Sequence, residues 1–149
     1  MIITFCGHTD YIERPNDEKN MLLLFNSIIR QSNVCFYLGG YGNFDKFALK
    51  CARKYQLSNR QAKIIFVTPY IDVNYKKLRN EKSLYDEIIY PNIENSPKRF
   101  AIVRRNEWMV NHSNYLISYV CHNFGGAYKT LQYAKKNNIS IIDFYIYGE

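Results

Sequence analysis

The feature that most constrains the fold of this chain is a series of short, uninterrupted apolar runs. They lie at 2–6, 34–38, 63–68, 115–120 and 139–144. Because they are apolar at consecutive positions rather than at every second one, they are typical of strands buried on both faces. Such strands form parallel sheets, whose crossover connections place helices over both faces.

Segments with helical spacing of apolar residues separate these runs. We expect helices at 16–30, 44–55, 97–111 and 125–136, with Asn16 or Asp17 capping the first and Ser96 the third. The stretch 70–97 predicts a long connection, with a short helix near 83–87 and a short strand near 88–90. Together the elements predict one α/β domain over 1–149, a Rossmann-like, doubly wound, mostly parallel sheet with helices on both faces.

The charge balance favours an anionic partner. Lys and Arg number 20 against 13 Asp and Glu, a formal net charge of +7. This excess does not separate a nucleotide from a nucleic acid, and a solvated basic face would account for it equally well. Self-association is also left open, since the many Tyr and Phe side chains could furnish an interface.

The cysteines and histidines predict no metal site and no cofactor. No two of the four cysteines form a CxxC pair, and no Asp, Glu or Cys set at ligand spacing surrounds His112 and His122. Buried, reduced thiols fit a reducing compartment. The first residues read as a strand rather than a signal peptide, and no apolar stretch is long enough to span a membrane. We therefore expect a cytoplasmic protein without membrane contact.

Three loops follow predicted strands and should converge at one edge of the sheet, where α/β folds bind ligands. They are 7–10, 39–45 and 123–130. The residues predicted to bind a phosphate-bearing ligand are Gly7, His8, Thr9, Gly39, Gly40, Tyr41, Gly42, Asn43, Gly125, Gly126, Ala127, Lys129 and Thr130.

The second and third loops share one physical rationale. Consecutive glycines let the backbone turn tightly and approach a ligand closely, because no Cβ intervenes. The following helix offers unpaired N–H groups and a partial positive charge, which together hold a phosphate. Neither loop is a complete phosphate-binding signature, so a plain strand-to-helix turn is the competing interpretation of each.

The ordered set of motifs resembles a known family. It comprises Cys6-Gly7-His8, the run from Gly39 to Asp45, Arg105-Asn106-Glu107-Trp108-Met109-Val110, and the run from Gly125 to Thr130. Over nearly the whole chain it is similar to the SLOG superfamily, the Rossmann-like domains related to the LOG phosphoribohydrolases and to the DNA-processing protein DprA. The resemblance is closest to the YpsA-like branch.

The resemblance implies candidate catalytic residues and exposes one departure. LOG enzymes cleave the N-glycosidic bond of a nucleoside monophosphate with an arginine, which matches Arg105, and a glutamate, whose position holds Tyr133. Cleavage through an oxocarbenium-like state requires a nearby carboxylate. Asp45 is the candidate substitute, although it could equally complement the dipole of its helix. Asp10 and Glu13 are further candidates.

Three functions remain open on the sequence. The favoured one is a sensor or binding module for a small nucleotide-like ligand, because the glycine loops are present and the glutamate is missing. The second is a phosphoribohydrolase acting through Asp45 and Arg105. The third is single-stranded nucleic-acid binding like that of DprA, which the dispersed basic residues favour least.

Overall fold

The computed structural model describes residues 1–30, 33–70, 84–93 and 95–147. Its strands are β1 (Ile2–Gly7), β2 (Cys35–Leu38), β3 (Lys63–Val67), β4 (Glu87–Ile89), β5 (Tyr115–Tyr119) and β6 (Ser140–Asp143). They form one six-stranded sheet in the order β4-β3-β2-β1-β5-β6. Every pairing is parallel, so the predicted α/β, Rossmann-like class is confirmed.

The four longer helices each lie between two consecutive strands and cover the sheet on both faces, whereas the short last helix follows β6. They are α1 (Asp17–Ile28), α2 (Asn43–Ser58), α3 (Ala101–Asn111), α4 (Gly126–Lys136) and α5 (Phe144–Tyr147), and a 3-10 turn at Lys98–Phe100 leads into α3. In β1, Ile3 and Phe5 belong to the core cluster that includes α1 and α2. Cys6 faces the other way and packs with Val110 of α3 and Ala134 of α4.

The order of the strands reverses at β1. From there the chain builds outward through β2, β3 and β4, and then returns to add β5 and β6 on the opposite side. The connections that leave β1 and β5 therefore diverge to opposite faces of the sheet. A crevice opens between them at the carboxyl ends of these two strands.

Three local predictions are wrong or incomplete. No helix occupies 84–87, because Asp86 accepts a hydrogen bond from Ile64 N (2.8 Å) and so aligns this segment with β3. Residue 83 lies outside the described residues. Neither Asn16 nor Ser96 caps its helix, since the residues that precede α1 and the 3-10 turn, Asn16 and Pro97, make no side-chain capping bond. The helix α5 was not predicted, because its first residue, Phe144, directly follows β6 and reads as the end of the last apolar run.

The described part of the chain contains no helix with both the length and the apolar character needed to cross a bilayer.

Gly7 sets how closely α2 packs on the central strand. A Cβ at this position would overlap the ring of Phe44, which is fully buried in the first turn of α2. Phe44 cannot move aside easily, because the rings of Tyr11 and Tyr119 lie 5.1 and 5.7 Å from it. A glycine at the end of β1 is therefore a packing requirement of the fold.

We expect Gly7→Ala to lower the free energy of unfolding by about 1–3 kcal/mol, the usual cost of overpacking a core. The matched control is Gly126→Ala, since a Cβ there meets no atom within 4 Å. Urea unfolding monitored by circular dichroism measures both. Equal stability of Gly7→Ala and the wild type would contradict this assignment.

Candidate functional site

A cleft of about 380 Å³ lies at the carboxyl edge of the sheet, at the crevice between β1 and β5. This volume is within the range of small-molecule sites, about 300–1,000 Å³. Loops after β1, β2 and β5 contribute to its walls, together with α3. Its lining residues are Phe5, Cys6, Gly7, His8, Thr9, Asp10, Tyr41, Asp45, Ile102, Arg105, Asn106, Met109, His122, Phe124, Gly125, Gly126, Ala127 and Thr130.

The N-terminus of α4 opens onto this cleft. Gly125 precedes the helix at φ 90° and ψ 178°, a backbone conformation available in practice only to glycine, and no side chain caps the helix. The first N–H groups of a helix have no partner within it, so those of α4 are available to a ligand. Neither conformation nor packing requires glycine at Gly126, since its φ is not positive and a Cβ would meet nothing within 4 Å.

Thr130 and Lys129 of α4, both predicted ligand contacts, differ in their position relative to the cleft. Thr130 lines the cleft, but its hydroxyl donates to Gly126 O (3.0 Å), one turn earlier in the helix. Lys129 is exposed and does not line the cleft. At this helix start, the groups without a partner among the described residues are therefore backbone N–H groups.

The N-terminus of α2 begins in the same way and yet is closed by the protein. Gly42 has φ 89° and ψ 173°, nearly the conformation of Gly125. Here, however, Asn43 N donates to Thr9 O (3.0 Å), and a Cβ on Gly42 would lie 2.8 Å from Thr9 Cα. The loop after β1 thus fills the space in front of the first N–H groups of α2, whereas the equivalent space at α4 is open.

Packing also explains the first two glycines of the loop after β2, Gly39 and Gly40. A Cβ on Gly39 would lie 2.9 Å from the guanidinium carbon of Arg105, and one on Gly40 would overlap the ring of Phe66. Close contacts with neighbouring side chains therefore account for the glycines of the loop at 39–42. Of the residues 39–42, only Tyr41 lines the cleft.

Arg105 is a buried cation at the base of the cleft, with only 3% of its surface exposed. Its Nη1 donates to Gly39 O (2.8 Å) and Val67 O (2.9 Å), which ties α3 to the ends of β2 and β3. Its Nε donates to Asn106 Oδ1 (2.9 Å). Nη2 makes no hydrogen bond to another described residue.

Asp45 is a half-buried carboxylate, and its negative charge acts on Arg105. Burial raises the pKa of Asp45 from 3.8 to about 6, although the Tyr41 N–H and the Arg105 charge both oppose this shift. Tyr41 N donates to Asp45 Oδ2 (3.1 Å). Burial likewise lowers the pKa of Arg105, against the attraction of Asp45. A carboxyl group with a pKa near neutrality can exchange a proton with a ligand.

A stack of three rings leads from the base of the cleft to its rim. His8 stacks on His122, with 3.7 Å between ring centroids, and His122 stacks on Phe124 at 3.9 Å. His8 is buried and accepts a hydrogen bond at Nε2 from Cys121 N (2.9 Å), whereas Phe124 is 67% exposed. All three rings line the cleft, as do Gly125 and Gly126 at the start of α4.

The structure brings together part of the predicted set. Both catalytic candidates, Asp45 and Arg105, line the cleft, as do eight predicted ligand-binding residues: Gly7, His8, Thr9, Tyr41, Gly125, Gly126, Ala127 and Thr130. Five lie outside the lining: Gly39, Gly40, Gly42, Asn43 and Lys129. Asp10 also lines the cleft, whereas Glu13 does not and pairs with Lys50 instead.

Seven lining residues were not predicted as ligand contacts: Phe5, Cys6, Ile102, Asn106, Met109, His122 and Phe124. His122 and Phe124 precede the glycines of the third loop, so their place after a strand end was an available signal. Ile102 and Asn106 lie on α3, and nothing in the sequence shows which part of this helix faces the strand ends.

No family model matches the chain, and the search of curated proteins finds no match. Among solved structures, the X-ray structure of DNA processing protein A (DprA) from Streptococcus pneumoniae is similar, with a TM-score of 0.60 and 15% sequence identity. The alignment covers 93% of this chain and 48% of that one, so the chain spans about half the length of that protein. At this identity the similarity is one of fold, and the chain has a DprA-like, Rossmann-like fold.

Proposed function

We propose that this chain binds a nucleotide or nucleotide-derived phosphate ligand in the cleft and acts as a sensor or ligand-binding module. We place it nearest the YpsA-like branch of SLOG domains. One observation carries the proposal: the open, uncapped start of α4, where Gly126 leaves room for a ligand that no neighbouring side chain fills. Helix starts of this kind bind phosphate through backbone N–H groups and the helix dipole.

The charges around the cleft support an anionic ligand. Arg105 brings a permanent positive charge to the base of the cleft and keeps Nη2 available. Asp45 is protonated more readily than an ordinary aspartate, because burial raises its pKa to about 6. Repulsion of a phosphate by this carboxylate is therefore reduced at and below about pH 6.

The remaining walls suit the organic part of a nucleotide. Tyr41, Ile102 and Phe124 line the cleft and are 65%, 38% and 67% exposed. Exposed aromatic rings beside a polar anion site offer stacking surfaces for a base. This combination favours a nucleotide over an inorganic anion.

We expect Gly126→Ala to weaken binding of the nucleotide at least tenfold, about 1.4 kcal/mol, because its methyl group would hold a phosphate away from the N–H groups. Isothermal titration calorimetry with AMP, NAD derivatives and ribose 5-phosphate identifies the ligand and measures the loss. Lys135→Ala, at the far end of α4, is the matched control and should bind as the wild type does.

Absence of binding by every member of this panel to the wild type would overturn the proposal. Single-stranded DNA binding that weakens steeply with salt, in place of nucleotide binding, would favour the DprA-like alternative. The net charge of +7 is the observation behind that alternative.

A phosphoribohydrolase is the second candidate, because Asp45 and Arg105 line the same cleft as the start of α4. An ionised carboxylate beside the ribose would stabilise an oxocarbenium-like transition state. Since the pKa of Asp45 is raised to about 6, the activity should fall as the pH drops below this value.

If the cleft is catalytic, Asp45→Asn should reduce release of adenine from AMP by at least a hundredfold, while Asp10→Asn retains most of it. Chromatography of the free base measures both rates. Release that is undiminished in Asp45→Asn would rule out this mechanism without affecting the binding proposal.

The raised pKa of Asp45 also makes stability depend on pH. Ionising Asp45 costs more free energy in the folded chain than in the unfolded one. The folded chain is therefore stabilised relative to the unfolded one while Asp45 is protonated, and this stability is lost as the pH rises from about 4 through about 6. Asp45→Asn should therefore be more stable than the wild type above pH 6, by on the order of 1 kcal/mol after allowance for water in the cleft. This difference should vanish near pH 4.

Thermal unfolding of both proteins across this pH range measures the difference, with Asp10→Asn as the control for loss of an exposed carboxylate on the same cleft. A stabilisation by Asp45→Asn that grows as the pH falls would contradict the assigned shift.

A further inference from the structure

Three side chains with metal-binding atoms meet where the loops after β1 and β5 come together. One ligand atom each from His8, Cys121 and His122 lies within 4.8 Å of the other two, and this is a candidate metal-binding group among the described residues. Ligand atoms in a tetrahedral zinc site lie about 3.5 Å apart, given Zn–N and Zn–S bonds of about 2.0–2.3 Å. The three groups therefore need to approach one another by roughly 1 Å.

A hydrogen bond fixes the tautomer of His122. Its Nδ1 lies 3.1 Å from Phe124 O. A carbonyl oxygen only accepts, so Nδ1 carries the proton and the lone pair of the neutral ring is on Nε2. A ring nitrogen that donates to a carbonyl fixes the tautomer of metal-bound histidines in the same way.

His8 is held as a neutral imidazole with a lone pair on Nε2. This atom accepts a hydrogen bond from Cys121 N (2.9 Å). An ion would replace the Cys121 N–H as the partner of His8 Nε2, and the neutral ring would lose no proton on binding.

The stacking of the two rings defines the movement that binding requires. The rings of His8 and His122 are nearly parallel, with an interplanar angle of 14° and 3.7 Å between centroids. Because a nitrogen lone pair lies in the plane of its ring, the lone pairs of two parallel rings do not converge on one ion. His122 lies on the loop between β5 and α4 and is only partly buried, whereas His8 is buried at the end of β1. His122 is therefore the ring that turns.

We propose that His8, Cys121 and His122 form a zinc site at the rim of the cleft, with one coordination position left for water or a ligand oxygen. Two imidazoles and a thiolate favour Zn²⁺, which takes both donor types in tetrahedral sites with three protein ligands. Cys121 is exposed, so an ion can reach it. His8 and His122 both line the cleft, and the fourth position therefore opens toward the start of α4.

Titration of the full chain with Co²⁺ alone, after treatment with a chelator, tests the site without any nucleotide. We expect a thiolate-to-cobalt charge-transfer band and visible bands of tetrahedral intensity, both removed by one equivalent of Zn²⁺. Cys121→Ser should abolish the charge-transfer band, and His122→Gln should weaken Co²⁺ binding at least tenfold.

Two matched variants control for unspecific binding. Cys35→Ser removes a partly buried thiol outside the cluster, and His112→Gln removes a histidine that likewise stacks on an aromatic ring, that of Trp108 at 4.1 Å. Both should bind Co²⁺ as the wild type does. No charge-transfer band in the wild type, or a band that survives Cys121→Ser, would overturn the proposal and leave the stacked histidines as packing.

Discussion

The central strand β1 is buried on both faces, and the position of the cleft follows from this constraint. Ile3 and Phe5 pack toward α1 and α2, while Thr4 and Cys6 face α3 and α4. Because neither face has spare room, the strand can end only in a residue without a side chain, which is Gly7 beneath Phe44. The chain then continues over the carboxyl edge of the sheet, and His8 and Thr9 become part of the cleft.

The loop after β1 makes the two glycine-containing helix starts unequal. Gly42 and Gly125 have almost the same backbone angles, so both helices begin with the same geometry. At α2 a carbonyl of Thr9 takes the first N–H group and the space in front of the helix is filled. At α4 the corresponding space is open. One helix start thus contributes to folding, and the other remains free to contribute to binding.

Arg105 connects folding and binding in a different way. A guanidinium with 3% exposure carries a large desolvation cost, which hydrogen bonds to Gly39 O and Val67 O offset in part. The same bonds hold the ends of β2 and β3 against α3. Asp45 adds a charge of opposite sign, yet burial raises its pKa to about 6, so this compensation weakens when the cleft is acidified.

Much of the fold is predictable because it depends on local patterns. The five apolar runs and the helical spacing locate five strands and the four longer helices within a few residues, and the short strand expected near 88–90 is β4. Phe144, in contrast, belongs by pattern to the last strand, and only the tertiary contacts of its ring with Phe44 and Phe47 show why α5 begins there. The filling of the α2 start by Thr9 and the pairing of His8 with His122 are likewise contacts between distant residues, which no local pattern encodes.

The position that the LOG resemblance aligns with a catalytic glutamate supports binding more than catalysis. Tyr133 does not line the cleft, and its hydroxyl exchanges hydrogen bonds with Asn111 of α3 at 2.8 and 3.0 Å. This face of α4 therefore holds α4 to α3 and presents nothing to a ribose. A carboxylate for catalysis would have to come from the opposite wall, where Asp45 accepts a hydrogen bond from its own loop at Tyr41 N. The backbone at the start of α4 faces the cleft without a partner among the described residues, and this supports the proposal of phosphate binding more than that of glycosidic cleavage.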